Sequence, residues 1–271
     1  DEAVAGIVTI NKSDVATELL SAIGTLAGAD KDQQRVARQL SEILLSQPRD
    51  VLLEHAGSLK KAISTAGVLQ ATGFAGLIVA GHVDDAWKLA QADDAARSAW
   101  LSSVALVPAG EPRNELRPNV IALLNESQST PVRTGAINAL ATIDAEQSDS
   151  FLRLAEFVSA DGYRTPAIRS LLKIPDDARD VKTSTQVVKV LVKHAEETPA
   201  AKRTTGEFLD AMQLADELLR KLSPAKSRSY RDRLRDVTVR VVRLRTVEEE
   251  MRFDVQFFAV EAGRPVQVVL E

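Results

Sequence analysis

From residue 13 to about residue 225, apolar side chains recur at helical spacing. Ser13 predicts an N-cap for a helix carrying Val15, Leu19, Leu20, Ile23 and Leu26. A second stripe, Val36, Leu40, Ile43 and Leu44, runs to the stop at Pro48, and a third joins Leu59, Ile63, Ala66 and Leu69. Trp87, Leu89, Trp100, Leu101 and Val104 fall on two further helices. The clearest unit starts at Thr130, a cap candidate, with Pro131 at the first helical position, where a missing N–H costs nothing, and continues through Ala136, Ile137, Ala139, Leu140 and Ile143. Asp149 or Ser150 opens the next helix, with Phe151, Leu152, Leu154, Ala155 and Val158, and after Gly162 the pattern restarts with Pro166, Ala167, Ile168, Leu171 and Leu172. Thr204 and Glu207 have the spacing of a capping box, ahead of the apolar face Phe208, Met212, Ala215, Leu218 and Leu222.

Beyond Pro224 the period shortens to two. Val237, Val239 and Val241 alternate with polar residues, as do Phe253, Val255 and Phe257, and then Val266, Val268 and Leu270. Three strand candidates after a run of helices predict two parts: a helical domain over 1–225, and a linker with β-strands over 226–271. The chain begins at Asp1 without Met or a recognisable signal peptide and ends at Glu271 within the last strand candidate, so an internal piece of a longer polypeptide is expected.

Composition narrows the chemistry. Hydrophobic residues make up 45% of the chain and aromatics only 4%, so the core is expected to be aliphatic and rich in Ala. A net charge of −4 with interspersed signs argues against nucleic acid as the main partner. There is no cysteine, which removes disulfides, thiolate catalysis and covalent haem attachment within this chain. The apolar stretch from Ala66 to Gly81 is short and interrupted by Gln70, Thr72 and glycines, and reads as a buried helix pair rather than a membrane span.

No catalytic constellation emerges. His55, His82 and His194 are far apart and lack ligand spacing. The pairs Asp84-Asp85 and Asp93-Asp94 suit helix N-termini, and Glu248-Glu249-Glu250 suits a solvated turn. The glycines near Gly73 and Gly81 lack the Lys and Ser/Thr of a phosphate loop. The most unusual feature is the basic run Arg228, Arg231, Arg233, Arg235, Arg240, Arg243 and Arg245, which is either a docking site for an acidic partner or the polar face of a linker helix and strand.

Two resemblances add to this reading. Arg97, Arg133 and Arg164 each precede an Ala- and Leu-rich helix, roughly 30 to 36 positions apart, in the range of two-helix repeats. Val132-Arg133-Thr134-Gly135-Ala136-Ile137-Asn138-Ala139-Leu140 resembles the first helix of HEAT-type or armadillo-like repeats. That resemblance implies a mostly α fold, a right-handed α-α superhelix; a non-repeating bundle is the competing arrangement. Phe253-Asp254-Val255 through Ala262-Gly263-Arg264-Pro265-Val266 resembles the opening of a cupredoxin domain of the azurin or plastocyanin type, which implies a short β segment of an incomplete sandwich. The order of the parts, with Leu171-Leu172-Lys173-Ile174-Pro175 and the run from Thr246-Val247 to Met251, is similar to large exported bacterial proteins that combine haem-binding or dehydrogenase-like modules, helical repeats and a cupredoxin. The resemblance implies a non-catalytic scaffold in an extracytoplasmic electron-transfer protein, with copper and haem in neighbouring domains and none in this chain. No copper ligand of the family carries over to any residue here. The rival expectation is a free-standing adaptor that binds a protein or peptide; an enzyme is third.

Overall fold

The structure is a computed structural model that describes residues 8–26, 30–125, 127–235, 237, 240–244, 257–260 and 266–270. It is mostly helical, and the chain forms two compact units, residues 1–146 and 147–271.

The first unit contains α1 (Val15–Leu26), α2 (Lys31–Leu45), α3 (Arg49–Glu54), α4 (Ala56–Ile63), α5 (Val68–Val79), α6 (Val83–Ala90), α7 (Asp94–Val104), α8 (Glu111–Asn114), α9 (Arg117–Ala122) and α10 (Thr130–Leu140). Its centre is α5. The apolar stretch around Ala66 to Gly81 forms this one helix rather than a pair, and Leu69 and every residue from Ala71 to Ile78 are buried. A helix apolar on all sides needs neighbours on all sides, and α1, α2, α3, α4, α6 and α7 all pack on it. Gly73 and Gly76 let α4 come close: a Cβ at Gly73 would sit 2.7 Å from the Leu59 carbonyl oxygen, and one at Gly76 2.5 Å from Leu59 Cδ2. On the α2 side, the hydroxyls of Ser41 and Thr72 lie 2.7 Å apart and share a buried hydrogen bond. One hydroxyl donates to the other, and the accepting one donates within its own helix, Ser41 to Ala37 O or Thr72 to Val68 O.

That contact rotates α2 from its expected face. Ala37, Ser41, Leu44 and Leu45 are buried, while Val36 and Ile43 remain about two-fifths exposed. Small side chains at 37 and 41 permit the close approach of α5, where Val36 and Ile43 would hold it off. Ala66 is likewise exposed, because α4 stops at Ile63 and Gly67, at φ +86°, turns the chain before Leu69 enters α5. The caps also sit one residue from their expected places. Asp14, not Ser13, accepts the N–H of Thr17 at the head of α1. Helix α10 is preceded by Ser129, so Thr130 is its first residue and Pro131 its second.

The second unit contains α11 (Gln147–Glu156), a 3-10 turn (Phe157–Ser159), α12 (Arg164–Leu171), α13 (Val181–Glu197), α14 (Gly206–Leu219) and α15 (Pro224–Arg235), followed by strands β1 (Arg240–Leu244) and β2 (Val266–Leu270). Helices α13 and α14 pair through Val187, Val188, Leu191, Leu214 and Leu218, all buried, and α15 packs on α13. Thr205 rather than Thr204 caps α14, accepting the N–H of Phe208. Leu171 is buried, whereas Leu172 is half-buried at the helix end. Pro224 opens α15 rather than merely stopping α14.

The strands pair in parallel, Arg240 opposite Val266 through Leu244 opposite Leu270. The first strand begins at Arg240, later than the Val237–Val241 alternation suggests: Val237 is buried in a turn, its N–H on Leu234 O. The residues from Phe257 to Val260 are exposed and in no regular element; Phe253 and Val255 lie outside the described residues.

The packing of α5 predicts opposite effects for two helical glycines. Gly73→Ala should destabilise by about 1–3 kcal/mol, because the new methyl meets backbone. Gly57→Ala, with open space around it, should stabilise by roughly 0.5–1 kcal/mol. Thermal melts of the two variants check the sign of each.

Candidate functional site

The part of the basic run whose side chains are described lies on α15, and most of it is paired. On α15, Arg233 forks onto Glu196 of α13, with Nε and Nη2 each 2.7 Å from a carboxylate oxygen, and its guanidinium lies 5.8 Å from the Tyr230 ring centroid. Arg235 bonds Asp232 at 2.7 Å, and Arg231 lies 3.7 Å from Asp216. Only Arg228 of the four α15 arginines is exposed with no partner among the described residues. Arg240 and Arg243 lie on β1, and Arg245 falls outside the described residues. Arg233 holds the Glu196 carboxyl below its ordinary range by hydrogen bonding and charge. Most of the field of α15 is thus used within the unit.

Other arginines have a structural role that recurs along the chain. Each donates its Nε–H to a main-chain carbonyl near the end of the preceding helix. Arg113 reaches Val107 O at 2.8 Å, Arg133 Leu124 O at 2.8 Å, Arg164 Val158 O at 3.0 Å, Arg179 Ile174 O at 2.9 Å and Arg203 Thr198 O at 2.9 Å. Arg97 makes the equivalent contact through Nη2 to Gln91 O at 3.3 Å. The last carbonyls of a helix have no partner within it and carry the negative end of its dipole, so a cation with several donors satisfies both needs. The three arginines that mark the sequence period are members of this set, which extends to the turns between them.

The most deeply built of these contacts is at Arg179. Its side chain is 5% exposed and also meets Glu217 at 2.7 Å. Burial pushes the Glu217 carboxyl up, but the hydrogen bonds from Arg179 and Gln213 and the charges of Arg179 and Arg220 outweigh it and hold the carboxyl below its ordinary range.

A groove of about 750 Å³ opens in the first unit between α2, the start of α5 and α7. Gln34 and Arg38 of α2 form one wall. Ala95, Ser98, Ala99 and Ser102 of α7, continuing to Ala105 and Leu106, form the other, and Gly67, Val68, Gln70 and Ala71 form the floor. The opposite face of α7 carries Trp100, Leu101 and Val104 into the core, where the Trp100 ring packs 4.9 Å from that of Trp87. The small-residue stripe was readable in the sequence as the α7 face without large side chains. Its pairing with Arg38 was not, because that depends on how α2 is rotated.

The remaining sequence candidates are dispersed. His55 Nε2 lies 3.0 Å from Asp14, and His82 Nδ1 3.5 Å from Asp85. His194 lies on α13, its pKa lowered by burial and then by the charge of Arg164. Among the described residues no group of three His, Cys, Asp or Glu side chains is placed to hold a metal ion. Asp93 caps α7 by accepting the Ala96 N–H, and Asp84 and Asp85 sit in the first turn of α6. Glu248, Glu249 and Glu250 lie outside the described residues. No described helix is long and apolar enough to cross a membrane.

These features define a mostly helical protein with a grooved first unit. No family model matches the sequence, and neither a curated protein nor a solved structure is significantly similar to the chain.

The Arg179–Glu217 contact predicts a pH dependence. A carboxyl whose folded pKa is depressed contributes stability above its unfolded pKa, about 4.3 for Glu, and loses it as pH falls through the folded value. Glu217→Gln should therefore lower the urea midpoint at pH 7, and the gap from the parent should narrow as pH falls below about 4. A gap unchanged between pH 7 and pH 3 would contradict this.

Proposed function

We propose that the chain is a non-catalytic helical-repeat scaffold of the HEAT or armadillo type. It holds the redox modules of a larger exported electron-transfer protein at fixed spacing and offers a surface to a protein partner. The observation that carries the scaffold reading is the recurrence of arginine-to-carbonyl contacts at successive helix ends. Repeat arrays are built from one supersecondary unit stacked on its neighbours, and a joint reused from turn to turn is what such stacking requires. The redox setting rests on the cupredoxin resemblance of residues 251–271. It is supported by the strand pair, which is too small to be stable alone. Parallel strands are usually covered on both faces, yet Val268 is 48% and Leu270 66% exposed. Further strands of a sandwich would cover them. In this reading copper and haem belong to neighbouring domains, and Arg228, exposed on α15, is available to those domains.

The groove favours a second reading, a free-standing adaptor that binds a protein segment without a redox role. Optical spectra separate the two. The protein at its full encoded length, isolated from its native host, should show haem or blue-copper bands, whereas the 271-residue chain alone, incubated with copper and dialysed, should show none. A full-length protein without bound metal or haem would remove the redox setting and leave the adaptor. Stoichiometric copper with a charge-transfer band in the short chain would overturn the scaffold.

A further inference from the structure

The groove of the first unit holds a single charged side chain, Arg38, and no carboxylate among its lining residues. Arg38 is also unusual in the chain. Of the arginine side chains that the structure describes, Arg38 and Arg228 alone have no hydrogen-bond or ion-pair partner among the described residues; the others contact carboxylates or main-chain carbonyls. A second hollow, of about 390 Å³, continues along α2 past Lys31, Arg35 and Gln39, with Glu42 the one carboxylate lining it.

The shape selects the kind of occupant. The α7 wall presents Ala95, Ser98, Ala99 and Ser102, spaced i, i+3, i+4 and i+7, and Ala105 and Leu106 continue it past the helix end. The four helical positions make one stripe, roughly 10 Å long at the helical rise. Small side chains along such a stripe let a second helix approach closely, and an apolar helix face laid in a groove is an established mode of peptide recognition. Both walls are helices whose main-chain groups are already paired, so no free edge invites strand addition. The floor begins at Gly67, which provides no side-chain cap for α5, so the positive end of that helix adds to the field of Arg38.

We propose that the groove between α2, α5 and α7 receives an amphipathic helix of a partner protein, its small apolar face against α7 and a carboxylate paired with Arg38. This rests on the protein-binding part of the function proposed above, which both the scaffold and the adaptor share. Its failure is separable, because the spectra of the full-length protein do not depend on the groove.

The test uses a phage-displayed library of amphipathic helical peptides selected against the full chain, with affinities of recovered peptides read by fluorescence polarisation. Recovered sequences should carry Asp or Glu at the edge of an Ala- and Leu-rich face. Arg38→Glu, at an exposed position, should weaken them about tenfold, equivalent to roughly 1.4 kcal/mol, and exchanging the peptide carboxylate for Lys should restore binding to that variant. Ser102→Leu, which fills the groove from an exposed position, should weaken them at least as much, and Arg228→Glu should leave them unchanged. Failure to recover any peptide, recovery of neutral or basic ones, or binding indifferent to Arg38→Glu and Ser102→Leu would each overturn the proposal.

Discussion

An arginine Nε–H donated to the carbonyl at the end of the preceding helix is the contact on which both units depend. Short helices multiply helix ends, and every end leaves carbonyls without partners. Where the turn is packed against a neighbour, water cannot serve them all, and an unpaired buried carbonyl costs about 1–3 kcal/mol. Arg113 shows the solution most clearly. Its guanidinium takes Val107 O after α7 and Thr142 O after α10, tying two turns with one side chain and no carboxylate. Arg117 donates nearby to Ala145 O, with the Glu146 carboxylate 3.4 Å from its guanidinium, while Asn114 accepts the Ala145 N–H. Lysine would not substitute, since a point charge lacks the planar fork that reaches two carbonyls at once.

The second constraint is the scarcity of large side chains. With few aromatics, close approach replaces bulk. Gly73 and Gly76 admit α4, Ala37 and Ser41 admit α2, and the Ser41–Thr72 hydrogen bond pairs the polar atoms that this closeness buries. The groove follows from the same economy. Helix α7 directs Trp100, Leu101 and Val104 inward, which leaves its other face to Ala and Ser. A face so shallow does not fill the space between α2 and α5, and Arg38 is left at its edge without a partner.

Much of the helical architecture was legible in the sequence, because apolar periodicity reports burial directly. The face of α10 from Ala136 to Leu140 is buried as the spacing implies. The errors have a common cause. On α2 the larger residues Val36 and Ile43 were expected inside, but small residues take the contact when two helices must come close, and periodicity weighs size rather than fit. On α15 the sequence shows the arginines as a basic run, and the partners of two of them, Glu196 and Asp216, are distant in sequence. The arginines that mark the period were visible, but not their partners, since carbonyls carry no sequence signal.

The claim that main-chain carbonyls rather than charge pairs hold the helix ends is tested most directly at Arg113, whose guanidinium meets only main-chain carbonyls among the described residues. Urea unfolding of Arg113→Lys and Arg113→Met should show both variants destabilised by about 1–3 kcal/mol at pH 7, with Lys recovering little of the loss despite keeping the charge. Full stability in Arg113→Lys would show that charge alone suffices there, and the account of the arginine joints would fail.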